Sequence, residues 1–243
     1  VIRAVFFDFF NTLFYFDEAE GWERLQEDVY GSIHRFLEGV DFAAFKEEYE
    51  LIYFEQVRKR EIDLMEPYLT ERFVTLYERL GRHPSDAAVI AGVEAYESSV
   101  TAQITPAPGV AEVLSQLSKR YWLGIVSNCR TAESVTTPLE QHGLIRYISA
   151  VVASSDVGFV KPHQTIFQKA LQAAHVDAAE ACFVGDHFRI DIEGAKGAGF
   201  TTIYVKQTAQ PSQMENLEVS PEREREFANY TVSGLRGVLE ILK

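Results

Sequence analysis

The chain has 243 residues, room for one large domain or two modest ones, and its 47% hydrophobic content is ample for a packed core, which excludes global disorder. Acidic residues outnumber basic ones 36 to 23, a formal net charge of −13 that repels phosphate backbones and anionic lipid. Nucleic acid and membrane surfaces are therefore set aside as partners. A small anionic substrate remains, provided local cations or a metal reverse the field.

Taken in chain order, residues 3–7 read as a short buried strand ending at Asp8, followed by a loop, Phe9 to Leu13, that holds Asn11 and Thr12. From about Trp22 to Gln103 apolar residues recur at helical spacing, as at Leu25, Val29, Ile33, Phe36 and Leu37, or Phe73, Leu76, Tyr77 and Leu80. Breaks near Gly39, Pro67 and Gly81–Ser85 divide this stretch into about four helices. The Pro/Gly segment Ile104–Gly109 returns the chain to a different pattern. Helices are expected at Val110–Lys119, Glu133–His142, Gln164–Ala174, Ile190–Ala198 and Val232–Leu242. Strands are expected at Trp122–Val126, Ala150–Ala153, Ala181–Val184 and Thr201–Val205. The polar run Gln207–Glu226 reads as a surface loop with a short helix.

Alternating strands and helices imply a parallel sheet covered on both faces. The expected fold is α/β, a Rossmann-like parallel core made of residues 1–14 and 105–243, with an all-helical insertion over residues 15–104. Cys129 and Cys182 make neither a disulfide framework nor a Cys-x-x-Cys pair. With no basic stretch leading into a long apolar run near residue 1, the expected setting is cytoplasmic, with reduced thiols.

Ligands of such sheets bind beyond the carboxyl ends of the strands. Asp8, Ser127, Asn128 and Gly185-Asp186 fall at strand ends there, and Asp191 and Lys161 fall at helix starts. Taken singly, each residue is an ordinary cap or turn former; their joint placement is what points to chemistry. Asp8, Asp186 and Asp191 in one crevice repel one another. A hard cation such as Mg²⁺ suits their oxygens and leaves positions for water and a phosphate. Lys161 neutralises further, while Ser127, Asn128 and the first loop, with Thr12, hold anionic oxygens. A carboxylate in that setting can attack phosphorus and form an aspartyl-phosphate.

In four segments the sequence resembles the haloacid dehalogenase-like hydrolases, in the branch with a helical cap inserted after the first strand. The segments are Val5–Leu13 around Asp8, Gly124–Asn128, Gly158–Phe167 around Lys161, and Phe183–Gly199 with Asp186 and Asp191. The resemblance implies that Asp8 is the nucleophile and Lys161 the group that steadies it. It implies that Ser127 binds the transferred group. It also implies that Asp8, Asp186, Asp191 and the backbone carbonyl of Phe10 hold Mg²⁺. The family's phosphatases carry a second Asp two residues after the nucleophile, which protonates the leaving group. Here that position is Phe10, which transfers no proton. A good leaving group, or a cap acid such as Glu61 or His34, is then needed.

The 2-haloacid dehalogenases of the family also have an aromatic residue at that position and need no metal. In that alternative the cap supplies a carboxylate-binding Arg, from Arg58 or Arg60. Against it stand Asp186 and Asp191, where dehalogenases usually show Ser and Asn. The leading expectation is a Mg²⁺-dependent phosphatase of small phosphorylated metabolites. The alternatives are a dehalogenase and a weakened member that binds a phosphorylated ligand or a protein.

Overall fold

A computed structural model describes residues 1–16, 22–206 and 219–243. The chain divides into two compact units, residues 1–16 with 105–243 and residues 17–104. Strand β1 (Ala4–Phe7) is buried along its whole length. After it the chain turns at Asn11, whose φ of 62° lies in the left-handed region that Asn tolerates through its short polar side chain. A three-residue strand, β2 (Phe14–Phe16), follows.

The inserted unit is helical: α1 (Trp22–His34), α2 (Phe42–Asp63), α3 (Leu69–Arg79) and α4 (Asp86–Thr101). The side chains of residues 22–26, including Leu25, lie outside the described residues. Local chemistry sets the helix ends. The Asp41 carboxylate accepts the N–H groups of Ala43 and Ala44 at 3.0 and 3.1 Å, and the Ser85 hydroxyl accepts that of Ala88 at 3.3 Å. Ile33, Phe45, Tyr49, Ile52, Phe73 and Leu76 form the core of this unit. Gly92 lets α4 approach α3 closely, since a Cβ there would meet the Phe73 ring at 2.8 Å.

In the other unit the return segment contains β3 (Ile104–Pro106), which pairs with β2 in a small ribbon. Then follow α5 (Val110–Leu117), β4 (Trp122–Ser127), α6 (Glu133–Gln141), β5 (Ala150–Ala153), α7 (Ser154–Val157) and α8 (Gln164–Ala174). The chain continues through β6 (Ala181–Gly185), α9 (Gly194–Gly197) and β7 (Thr201–Lys206) to α10 (Pro221–Phe227), β8 (Tyr230–Ser233) and α11 (Val238–Ile241). The six-stranded sheet runs β5-β4-β1-β6-β7-β8, all parallel. Phe7 stands opposite Ile125 on one side and Val184 on the other. Strand order reverses at β1, so its carboxyl end is the topological switch point where parallel sheets open a crevice. Phe6, Phe167, Phe183 and Phe200 pack ring against ring beside the sheet, with centroids 5.4 to 6.1 Å apart. Each buried ring contributes about 1.5–3 kcal/mol.

Two expected helices are corrected. Ile190–Ala198 is a wide π-helical turn, Phe188–Glu193, followed by the single turn of α9. Val232–Leu242 is no helix at its start. Residues 230–233 extend as β8 beside β7, and Gly234, at a φ of 88°, breaks the chain before α11. The β-branched pair Thr231-Val232 favours the strand. The expected polar loop is described only at its end, where Ser220 caps α10 through the N–H of Arg223 at 3.3 Å. Residues 207–218 lie outside the described residues.

Candidate active site

β1 delivers Asp8 to the switch point, and its backbone N–H still donates to the Val184 carbonyl at 2.9 Å, so the residue is pinned to the sheet. β6 delivers Asp186 one residue past its end. The π-helical turn then carries Asp191 back over the strand. Gly185 permits this return, because a Cβ there would lie 2.6 Å from the Asp191 carboxylate. The three carboxyl groups come together, with one oxygen from each within 4.8 Å of the others, and all three residues are buried.

One ammonium stands among them. Lys161 Nζ, 2% exposed, donates to Asp8 Oδ1 at 2.5 Å and to Asp191 Oδ1 at 2.8 Å. The other oxygen of Asp191 accepts the His187 backbone N–H at 3.0 Å. Burial raises the Asp8 pKa to about 7, with Lys161 pulling it down and Asp191 adding to the rise. Burial also lifts Asp186 well above the usual carboxylate range, with Asp8 and Asp191 repelling its charge. Lys161 is raised in turn: desolvation opposes its charge, and the two carboxylates outweigh desolvation. Three carboxylates against one ammonium leave a surplus of negative charge in a buried place where screening is weak.

That surplus is a test of whether a divalent ion fits, and the donor set meets it. The ligand atoms are all carboxylate oxygens, close enough together to share one ion, and burial together with their mutual repulsion raises the pKa values of Asp8 and Asp186.

Two residues expected to bind phosphate have their side chains engaged within the protein. The Thr12 hydroxyl donates to Asp186 Oδ1 at 2.9 Å, so it orients that carboxylate. Asn128 clasps the Lys161 peptide: Oδ1 accepts its N–H at 2.7 Å and Nδ2 donates to its carbonyl at 3.1 Å. The amide thereby ties the loop after β4 to the segment carrying Lys161, whose peptide to Pro162 is cis. Ser127 differs from both. Its Oγ is fully buried and has no hydrogen-bond partner among the described residues, which leaves it able to meet an incoming oxygen.

Sequence reasoning missed Ser154. Its hydroxyl accepts the Cys129 N–H at 3.0 Å and donates to the Cys129 carbonyl at 3.1 Å, which fixes the loop that follows Ser127. A Ser directly after a buried strand was the available signal. Phe10 is half-buried and stacks on Phe16 with centroids 5.6 Å apart and planes 12° apart.

In the helical unit, His34 spends Nε2 on the Val40 carbonyl at 2.7 Å and packs on Phe42 and Phe45, a structural role. Glu61 and Arg58 are exposed on α2. Arg60 lies 3.8 Å from the buried Glu66. Among the described residues of this unit the buried cation is Arg72, 1% exposed.

The profile of the haloacid dehalogenase-like hydrolases matches residues 40–205. A glyceraldehyde 3-phosphate phosphatase of Pyrococcus furiosus is 31% identical over all of this chain and 93% of its own length. The pyrimidine 5'-nucleotidase YjjG of Escherichia coli is 30% identical, covering 83% of this chain and 84% of its own length. Among solved structures, a 2-haloacid dehalogenase of Pseudomonas syringae superposes with a TM-score of 0.66 at 24% identity, covering 100% of this chain and 98% of that one. The HAD-hydrolase YfnB of Bacillus subtilis, solved with magnesium, gives 0.65 at 20% identity, covering 99% and 98%. The fold is shared with both structures, and the sequence kinship settles the family: this chain belongs to the haloacid dehalogenase-like hydrolases.

Proposed function

We propose that this hydrolase is a Mg²⁺-dependent phosphatase of small phosphorylated metabolites, with Asp8 as its nucleophile. The observation that carries the reading is the meeting of three buried carboxylates with a single ammonium at the switch point of the sheet. Relatives named as phosphatases, 31% and 33% identical, support it.

Asp8, Asp186, Asp191 and the Phe10 carbonyl are the residues that would hold Mg²⁺. When bound, the ion supplies positive charge that lets an anionic nucleophile meet an anionic phosphate. The remaining work falls to the chain. Lys161 fixes one oxygen of Asp8, leaving the other to attack phosphorus, and the leaving-group oxygen departs with the bonding pair. Lys161 keeps its proton throughout, held by two carboxylates. Ser127 Oγ donates to a phosphoryl oxygen as charge builds there. Thr12 and Asn128 hold Asp186 and the Lys161 segment in place. Water then releases phosphate from the aspartyl-phosphate and restores Asp8.

A second reading, the dehalogenase, is favoured by one observation, the aromatic residue at position 10. Phosphate and halide release separate the two. Phosphate release from a panel of phosphorylated metabolites is expected to need Mg²⁺ and to fall about 10⁴-fold or more in Asp8→Asn. Halide release from 2-haloacids that persists in chelator would instead establish the dehalogenase.

A further inference from the structure

The phosphatase reading leaves open which leaving groups the site can expel, and the proton-bearing side chains around Asp8 bear on that choice. Lys161 is held by Asp8 and Asp191 together. The Thr12 hydroxyl is spent on Asp186 and the Asn128 amide on the Lys161 peptide. The Nδ1 of His187 is spent accepting the Ile190 N–H at 3.3 Å. Ser127 has a free hydroxyl, but an alcohol is a hydrogen-bond donor here and far too weak an acid to release its proton. Immediately after the nucleophile the chain offers aromatic rings. Phe10 stacks on Phe16, meets Phe9 edge-on at 5.0 Å, and Phe9 stacks on Phe14 at 4.8 Å. Phe14 and Phe16 share one face of β2, which turns Tyr15 to the other face. Among the described residues of this unit, the surroundings of Asp8 thus provide a nucleophile, a fixed cation and a free hydroxyl, and no general acid.

We infer that the natural substrate class is the acyl phosphates, an inference that rests on the phosphatase reading. In an acyl phosphate the attack of Asp8 forms the Oδ–P bond and breaks the bond from phosphorus to the acyl oxygen. The electron pair leaves on a carboxylate, which is stable at neutral pH without a proton. An alkyl ester must expel an alkoxide and needs a proton at that moment. General acid catalysis of that kind contributes about 10²–10⁴-fold. In the second step a water oxygen bonds to phosphorus, the Oδ–P bond breaks to restore the Asp8 carboxylate, and the water proton leaves with the phosphate. Phe10 is therefore a specificity-determining residue: position 10 gives the leaving group no proton, which favours leaving groups that do without one.

The test compares acetyl phosphate, 4-nitrophenyl phosphate and glycerol phosphate with Mg²⁺, each corrected by Asp8→Asn. The expected order of kcat/KM is acetyl, then 4-nitrophenyl, then glycerol phosphate, spanning about 10²–10⁴-fold. Phe10→Leu, which removes the ring and adds no acid, keeps that span. Phe10→Asp narrows it by raising turnover of glycerol phosphate. Acid-quenched protein treated with acetyl phosphate gains the mass of one phosphoryl group, and Asp8→Asn does not. If the Asp variant fails to fold, the wild-type span, the Leu variant and the mass shift still decide. Glycerol phosphate cleaved as fast as acetyl phosphate, with the phosphoryl adduct present, overturns the substrate class and leaves the phosphatase intact. No turnover of any of the three and no adduct overturns both.

Discussion

Each unit of this protein buries charge, and the two do so in opposite ways. In the sheet unit three carboxylates crowd around one ammonium. In the helical unit Arg72, 1% exposed, has no carboxylate partner among the described residues. Its Nε donates to Gln56 Oε1 at 2.8 Å, Nη1 donates to the Tyr49 hydroxyl at 3.1 Å, and Nη2 has no hydrogen-bond partner among the described residues. The rings of Tyr49, Tyr53 and Tyr96 lie 5.3 to 6.0 Å from the guanidinium. Aromatic faces steady that cation by about 0.5–2 kcal/mol each. The contrast shows that burial alone does not mark a reactive site. Arg72 is held by neutral groups and is part of a helical core. The carboxylates are held in mutual conflict, which a proton or a further positive charge relieves.

Removing each cation sharpens the comparison most. Lys161→Met strands Asp8 and Asp191 without their partner and is expected to cost about 3–5 kcal/mol of stability, the penalty for breaking a buried pair. Arg72→Met leaves no charge behind and strands only the neutral partners Gln56 and Tyr49, so it is expected to cost less, about 1–3 kcal/mol. Urea unfolding of the two variants checks the difference. Equal losses would mean that Arg72 has ionic partners of its own, or that Asp8 and Asp191 carry no charge when Lys161 is absent.

The next effect is one of pH. The Asp8 pKa is raised from 3.8 to about 7 in the folded protein, so between those values the folded state binds more protons than the unfolded one. Its contribution to stability is present below the lower value and is lost as pH rises through the higher. In chelator, the melting temperature is therefore expected to fall from pH 5 to pH 8, and Mg²⁺ is expected to restore more at pH 8 than at pH 5. A restoration independent of pH would contradict the crowding of these carboxylates.

The sheet was legible in the sequence because its strands are buried on both faces. Ala150–Ala153, the runs after Trp122 and Ala181, and Thr201–Val205 read as apolar stretches with no polar alternation. What escaped was short or two-faced. β2 and β3 are three residues each, and β3 lies within the Pro/Gly return segment. β8 is largely exposed, so no hydrophobic run announces it. The π-helical turn at Phe188–Glu193 escaped because the spacing of its apolar residues does not differ enough from that of an ordinary helix.

Asp8, Asp186, Asp191 and Lys161 were legible as a group because topology alone brings strand ends together. The tasks of Thr12 and Asn128 were not. Whether a hydroxyl or amide faces a ligand or a neighbouring loop is decided by side-chain direction and loop geometry, which no motif encodes. Arg72 had a signal that was overlooked. It stands three residues after Leu69 and four before Leu76, on the same stripe as Phe73. A cation on an apolar stripe is buried unless the helix is exposed.

The sharpest single test is calorimetric titration of Mg²⁺ into the wild-type protein and Asp186→Asn, a near-isosteric change that keeps an oxygen at the position and removes one negative charge. If three buried carboxylates create the demand for a divalent ion, wild type binds Mg²⁺ and the variant binds about 10–100-fold more weakly or not at all. Equal affinity in the two proteins would contradict the account.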